Sequence, residues 1–350
     1  MHSILQVGLG PLGLRIAADL LERRLGDVVA AVDSSPEIAG RKLSELVPGA
    51  SPKVSVRRSL EEVREWRQVR CAIVATSSDL ARCVPTFREL LGRGVSVVST
   101  CEELCWPWLR HETLARELDV LARDNRAALL GTGVNPGFLM DAFPLAVTAV
   151  SRSVRSVEVH RFQDASHRRV PFQRKIGVGL DQAGFDAAVA AGTLRHVGLG
   201  ESLHFLAQHL GLRVERWSES LEPVKAGRDR DSALGRVEKG RVCGVRQVAE
   251  GFHGEERVVR LEFIAALGLE DPHDRVIIEG EPPIDLTFKG GVQGDVATSS
   301  IVLNAIGPLL AAAPGLHTMA SIPLVGFAPP LAEPGERRTA VRRNARARRA

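Results

Sequence analysis

The sequence predicts an α/β fold: a doubly wound parallel sheet followed by a second, α+β domain. Three observations carry this. Short β-branched runs alternate with helical patterns through residues 1–131. A glycine-rich turn joins the first strand to the first helix. After about residue 150 the period changes to two, apolar against polar.

The elements follow in order. Ile4-Leu-Gln-Val7 reads as a strand and Leu12–Arg24 as an amphipathic helix. Val28–Asp33 is the second strand. Pro36–Leu46 reads as a helix opened by proline, and Lys53–Val56 as a weak third strand. Cys71–Thr76 is a strongly apolar strand, followed by a helix over Asp79–Leu91 with an acid at its start. Val95–Ser99, a long helix over Trp108–Asn125 and a strand over Ala127–Leu130 complete the unit. Strands spaced by helices imply a parallel sheet. Further on, Ser153–His160 sets Val154, Val157 and Val159 against Arg155, Glu158 and His160. Arg257–Phe263 and Arg275–Gly280 alternate likewise, as antiparallel strands with one wet face do. Helices are expected at Gly184–Gly192, Ser202–Leu210 and Val296–Ala312, the last packing back on the first unit. The expected boundaries are 1–140, 141–300, a returning helix in 301–326 and a Pro- and Arg-rich tail over 327–350.

Composition narrows the function classes. The chain has 350 residues, 44% hydrophobic and 25% charged, as in ordinary globular proteins. No run of 18 apolar residues suggests a membrane span, and the N-terminus lacks a secretory pattern, so a cytoplasmic protein is expected. The net charge of +4 is misleading: residues 331–350 hold seven arginines and two glutamates, a net +5, leaving the body near −1. A basic tail without interleaved aromatics gives no basis for a nucleic-acid partner. Five cysteines without a CxxC pair, and with no completing histidine set, argue for reduced thiols and no metal.

The cofactor motif is Gly8-Leu9-Gly10-Pro11-Leu12-Gly13. It follows a strand and opens a helix, as a Rossmann dinucleotide fingerprint requires. Gly8 permits the tight turn, Gly10 lets backbone approach a pyrophosphate, and Gly13 allows close helix–strand packing. Asp33 ends the second strand 20 residues after Gly13, placed to accept from ribose hydroxyls, with Ser34 beside it. This favours NAD(H); nearby Arg41 and Lys42 leave NADP(H) open. Ala75, Thr76 and Ser77 end the fourth strand, and Ser99 and Thr100 the fifth, where the cofactor's nicotinamide ribose belongs.

Two segments point to chemistry. Ser99-Thr-Cys-Glu-Glu-Leu-Cys-Trp-Pro-Trp108 brings the carboxylates of Glu102 and Glu103 to the nicotinamide end of the sheet; dipole chemistry at a helix start accounts for one of them equally well. Gly131-Thr-Gly-Val-Asn-Pro-Gly-Phe138 supplies Asn135 and backbone donors at the domain cleft, to cofactor or substrate. Trp106 and Phe138 are candidate walls of an apolar pocket. Arg168, Arg169, Lys175 and His196 are candidate polar groups on the substrate side.

Together these segments resemble the 2,4-diaminopentanoate dehydrogenases and native amine dehydrogenases, distant kin of dihydrodipicolinate reductase. The resemblance extends through Gln163-Asp-Ala-Ser166, Lys175-Ile-Gly-Val-Gly179, Glu222-Pro-Val224 and Gly294-Asp-Val-Ala-Thr298. It implies a nicotinamide-dependent enzyme that oxidatively deaminates an amine, or aminates a ketone or aldehyde with ammonia in reverse. It implies Glu102 as the catalytic carboxylate with Glu103 in reserve, and a homodimer. Two other readings stand beside it: an imine reductase like dihydrodipicolinate reductase, and a nicotinamide-binding regulatory protein without turnover.

Overall fold

A computed structural model describes residues 2–168, 170–194 and 197–331. Of the sequence expectations, Arg169, His196 and the tail beyond residue 331 lie outside the described residues.

The first sheet is built from seven parallel strands in the order β15-β6-β5-β4-β1-β2-β3. These are β1 (His2–Val7), β2 (Gly26–Val32), β3 (Val56–Arg57), β4 (Cys71–Val74), β5 (Ser96–Ser99), β6 (Ala128–Gly131) and, from the far end of the chain, β15 (Gly315–His317). Successive strand residues point to opposite faces. Leu5, Val7, Ala72, Val74, Val97 and Leu129 therefore meet α2 (Leu80–Gly92) and α3 (Glu112–Asp124) on one side. Ile4, Cys71, Ile73, Val98 and Leu130 meet α1 (Pro11–Glu22) and α8 (Gly294–Ala311) on the other. Both caps follow local chemistry: Pro11 occupies the first turn of α1, and Asp79 accepts the Arg82 N–H at the start of α2.

Two early expectations need correction. Residues 36–46 form turns and a short 3₁₀ segment at Leu43–Glu45, not a helix. The amides of Gly40 and Leu43 donate to the carbonyls of Val56 and Val54, so this segment lies beside β3 as a bridge between Lys42 and Ser55. The long helix expected from Trp108 starts only at Glu112, after 3₁₀ turns at Glu102–Cys105 and Pro107–Leu109.

The chain leaves the first sheet through α4 (Ala142–Val147) into β7 (Ser153–Asp164). Then come α5 (Val170–Lys175), α6 (Gln182–Ala190), α7 (Leu199–Leu210), β8 (Arg216–Lys225), the small hairpin of β9 (Arg230–Ser232) and β10 (Gly235–Val237), β11 (Val242–His253), β12 (Glu256–Ala266), β13 (His273–Glu281) and β14 (Ile284–Lys289). The six-stranded second sheet has the order β14-β13-β7-β12-β11-β8. It is mixed rather than wholly antiparallel, because its central pair, β7 and β12, runs parallel. The alternation had reported one buried face, which says nothing about strand direction. Val157, Val159, Leu261 and Phe263 of that face pack on Phe185 of α6 and on Leu199, Leu203 and Leu206 of α7. The opposite face carries cross-strand ion pairs, among them Arg260–Glu158 and Arg246–Glu262.

The eighth helix, α8, is long and apolar enough in composition to cross a membrane, but Val302, Leu303, Ala305, Ile306 and Leu309 are buried in the core of the first sheet. It begins at the second sheet and ends in the first, and β15 follows it at the sheet edge.

Candidate active site

The carboxyl ends of the first sheet's strands border two cavities. The first, about 510 Å³, lies along β1, β2 and β4 and is walled by Gly8, Gly10, Asp33, Ser34, Ala75 and Thr76, as expected from sequence, together with Arg58 and Ser59. Gly8 has a φ of +88°, and a Cβ there would lie 2.5 Å from the Ala75 carbonyl oxygen. At Gly13 a Cβ would stand 2.0 Å from the Gly8 oxygen, so the turn folds tightly only because both residues lack side chains. Around Gly10 a Cβ would meet nothing within 4 Å, and Gly10 caps α1 without a side-chain acceptor. First-turn amides of α1 are thus open to an anion at this cavity. Asp33 does two jobs. Its carboxylate accepts the Leu9 amide at 2.6 Å and the Ser35 amide at 2.8 Å, tying the glycine turn to the end of β2. Each oxygen retains lone-pair capacity for a ribose hydroxyl. The donor set fits a nicotinamide dinucleotide.

Other cofactor expectations resolve differently. Ser99 is fully buried; its hydroxyl donates to the Val74 carbonyl and accepts the Cys101 amide, a structural role. Pro11 is exposed in the first turn of α1, and Ser77 accepts the Asp79 amide; neither borders the cavity. Arg41 and Lys42 point elsewhere, to Glu45 and Ser55. The cation beside the Asp33–Ser34 corner is Arg58, which the sequence reading missed because it follows a two-residue strand.

The second cavity, about 280 Å³, lies between the two sheets. The first domain supplies Leu12, Thr100, Glu102, Thr132 and Asn135. The second supplies Arg161, Gln163, Arg168 and Lys175, and the start of α8 adds Gly294, Asp295 and Thr298. Glu102 and Glu103 are separated cleanly. Glu102 faces this cavity with its side chain one-fifth exposed, and its Oε1 lies 3.7 Å from Lys175 Nζ. Glu103 turns inward: Oε2 accepts the Leu80 amide at 2.8 Å and lies 2.9 Å from His111 Nε2. It fastens the 3₁₀ turn to the start of α2. A 3₁₀ turn places consecutive side chains about 120° apart, which suffices to divide the pair.

The floor of the cavity is a buried polar network. Arg161, 2% exposed, donates to Asp274 Oδ1 at 3.0 Å and to the Val292 carbonyl at 3.3 Å. Gln163 donates to the same carbonyl, and Asp274 Oδ2 accepts the Val292 amide at 2.7 Å. Burial pulls the Arg161 guanidinium down to about 10 and pushes the Asp274 carboxyl up, both against the attraction of the pair. Arg161 still carries its charge at neutral pH. Arg168 reaches Gln163 and Asp295 and lies 4.0 Å over the Phe172 ring. Arg161 escaped the sequence reading, although it follows Val157 and Val159 at two-residue spacing on the same inward row; a cation continuing an apolar row was the available signal.

The loop after β6 is fixed from several sides. Asp141, fully buried, accepts the amides of Gly137 and Ala142 and the Ser202 hydroxyl. Gly198 has a φ of +114°, and a Cβ there would lie 2.4 Å from the Pro136 ring, so the loop packs directly on the start of α7. The two aromatic expectations are not met. Trp106 projects away, against Trp108, Phe205 and His209. Phe138 packs in a small apolar cluster with Ile301 and Met319, beside Phe143. The cavity's own aromatics are Phe172 and Phe263. No group of three metal-ligating side chains occurs among the described residues.

A parallel sheet with a glycine turn and a terminal acid on its second strand, joined to a charged cavity against a second sheet, defines a Rossmann-type oxidoreductase that binds NAD(P). The family is more specific. The model of the 2,4-diaminopentanoate dehydrogenase C-terminal domain matches residues 138–329, and the chain belongs to that family. It is 27% identical over 330 residues to the 2,4-diaminopentanoate dehydrogenase of Acetoanaerobium sticklandii, covering 92% of this chain and 93% of that one. It is 24% identical to an amine dehydrogenase of Streptomyces virginiae, covering 93% and 97%. The solved amine dehydrogenase from Mycobacterium smegmatis superposes with a TM-score of 0.82 at 25% identity, over 95% of this chain and 98% of that one. A probable dehydrogenase from Thermotoga maritima, at 12% identity and a TM-score of 0.54, shares the fold.

Proposed function

We propose that this protein is an NAD(P)-dependent amine dehydrogenase that oxidatively deaminates a polar amine, and aminates the corresponding ketone or aldehyde in reverse. The observation that carries the reading is the Glu102 carboxylate just beyond the end of β5, facing a cavity that Leu12 of the glycine turn also lines. An alkylamine is mostly ammonium at neutral pH, with a pKa near ~10. Its carbon cannot release hydride until nitrogen has a lone pair. Glu102 takes that proton, holds the cationic nitrogen while the iminium forms, and passes the proton to solvent through its exposed edge. The bound nicotinamide supplies the hydride acceptor. Arg161, Arg168 and Lys175, balanced by Glu102 and Asp295, favour an amine with a second polar group such as a carboxylate over a purely aliphatic one. An imine reductase acting on a preformed C=N would need no base at this position.

The test is Glu102→Gln, with turnover followed by cofactor reduction against a panel of simple amines and diamino acids. Dinucleotide binding, read by NADH fluorescence, is expected to be unchanged, while amine oxidation falls at least a hundredfold. Undiminished turnover in Glu102→Gln, or ammonia-independent reduction as the only activity, would overturn the reading.

A further inference from the structure

Two side chains in the wall of the second cavity have no partner in the protein. Thr132 is 1% exposed and Asn135 6% exposed, yet Thr132 Oγ1 and both Asn135 amide atoms make no hydrogen bond. Buried polar atoms are paired as a rule, so three unpaired atoms in one wall mark a place built for something polar. Both residues border the cavity that Glu102 faces.

Their backbone is firmly placed. The Thr132 amide donates to the Ser99 carbonyl at 2.9 Å, next to the strand end from which Glu102 departs. A Cβ on Gly131 would lie 2.7 Å from the Leu104 carbonyl carbon, so the turn bearing Glu102 rests against the residue preceding Thr132. On the other side a Cβ on Gly137 would lie 2.8 Å from Thr132 Cα. Thr132 is wedged between the carboxylate's turn and the loop of Asn135.

We propose that the Thr132 hydroxyl and the Asn135 carboxamide hold the water that hydrolyses the iminium, the step that releases ammonia. The proposal rests on the amine dehydrogenase reading and assigns the half of the reaction that hydride transfer leaves unfinished. An ordered water needs two to four polar partners; a hydroxyl, an amide oxygen, an amide N–H and the nearby carboxylate meet that requirement. The oxygen of this water bonds to the iminium carbon as one of its protons passes to Glu102. Glu102 returns that proton to nitrogen. The C–N bond breaks as the oxygen closes to a carbonyl, and the remaining hydroxyl proton leaves with ammonia as ammonium. Iminium and water thus give carbonyl and ammonium, with no change of oxidation state. In the aminating direction the same two side chains hold the departing hydroxyl.

The experiment compares wild type, Thr132→Val and Thr132→Ser with an amine the wild type oxidises. Threonine and valine have nearly the same shape, so the substitution removes the hydroxyl alone. Expected for Thr132→Val are an unchanged NADH dissociation constant and a single-turnover rate of cofactor reduction within about threefold of wild type. Steady-state turnover should fall about tenfold or more. The isotope effect on turnover from amine deuterated at the reacting carbon should shrink towards unity, because hydrolysis then limits the cycle. Thr132→Ser should restore turnover. A weakened NADH complex would instead assign the pair to the cofactor and overturn the proposal. So would an equal fall in single-turnover and steady-state rates, or no fall at all. A wild type silent across the whole amine panel would sink the amine reading itself, and the proposal with it.

Discussion

Glu103→Ala tests whether two adjacent glutamates divide structure from chemistry. The Glu103 carboxylate is 7% exposed and takes the Leu80 amide and the His111 ring on one oxygen. Truncation leaves the fully buried Leu80 amide without its acceptor, a cost of about 1–3 kcal/mol. Lost packing around the deleted carboxymethyl group adds about 1 kcal/mol. Together these come to about 3 kcal/mol, and at roughly 2 °C per kcal/mol for a chain of this size Tm should fall by some 6 °C. Calorimetry reads the melting point, and amine-dependent cofactor reduction per folded molecule reads the chemistry. The expected variant melts early and still turns over, the opposite of Glu102→Gln. A Glu103→Ala protein that melts with wild type but loses activity as completely as Glu102→Gln would refute the assignment.

Two further outcomes follow from the interior. Asp274→Ala leaves the Arg161 guanidinium buried without its carboxylate, and chemical denaturation should show a loss of about 3–5 kcal/mol. A variant as stable as wild type would mean that the pair holds nothing in place. Burial raises the Cys71 thiol from an ordinary 9.0 to about 12, so the unfolded chain gives up this proton first. Stability from this group is whole below pH 9 and drains away as pH climbs towards 12, by no more than about 4 kcal/mol. Cys71→Ala should flatten that alkaline slope in denaturant titrations at pH 8 and pH 10.5; an unchanged slope would refute the contribution.

The dinucleotide half of the molecule was legible because its chemistry is local. Gly8, Gly10, Gly13 and Asp33 work through backbone freedom and one carboxylate at a strand end, and their spacing alone conveys this. The segment 36–46 misled for the same reason. Its apolar residues recur at helical spacing, but Gly40 turns it at a φ of +88° and its amides go to β3, a tertiary choice no local pattern records. At the chemical end the sequence located the turn of Glu102 and Glu103 without orienting it, since one residue of rotation decides which carboxylate meets the cavity. Trp106 went astray by the same turn. Arg161, Thr132 and Arg58 depend on contacts across more than twenty residues, or on polar atoms left without partners, and neither is visible along a chain.

The long helix α8 fixes more than a domain arrangement. Eighteen residues at about 1.5 Å each make a rod of some 27 Å. Its first two turns put Asp295 and Thr298 into the second cavity, and its later turns lie on α1, where Ser299 bonds Asp19 and Asn304 bonds Arg23. The helix behind the glycine turn and one wall of the second cavity are therefore bolted to the same beam. It works as a calliper: the spacing between the glycine turn and the second cavity is gauged by one helix that touches both. Substitutions on β7 or α5 are therefore expected to reshape the second cavity while that spacing keeps its setting.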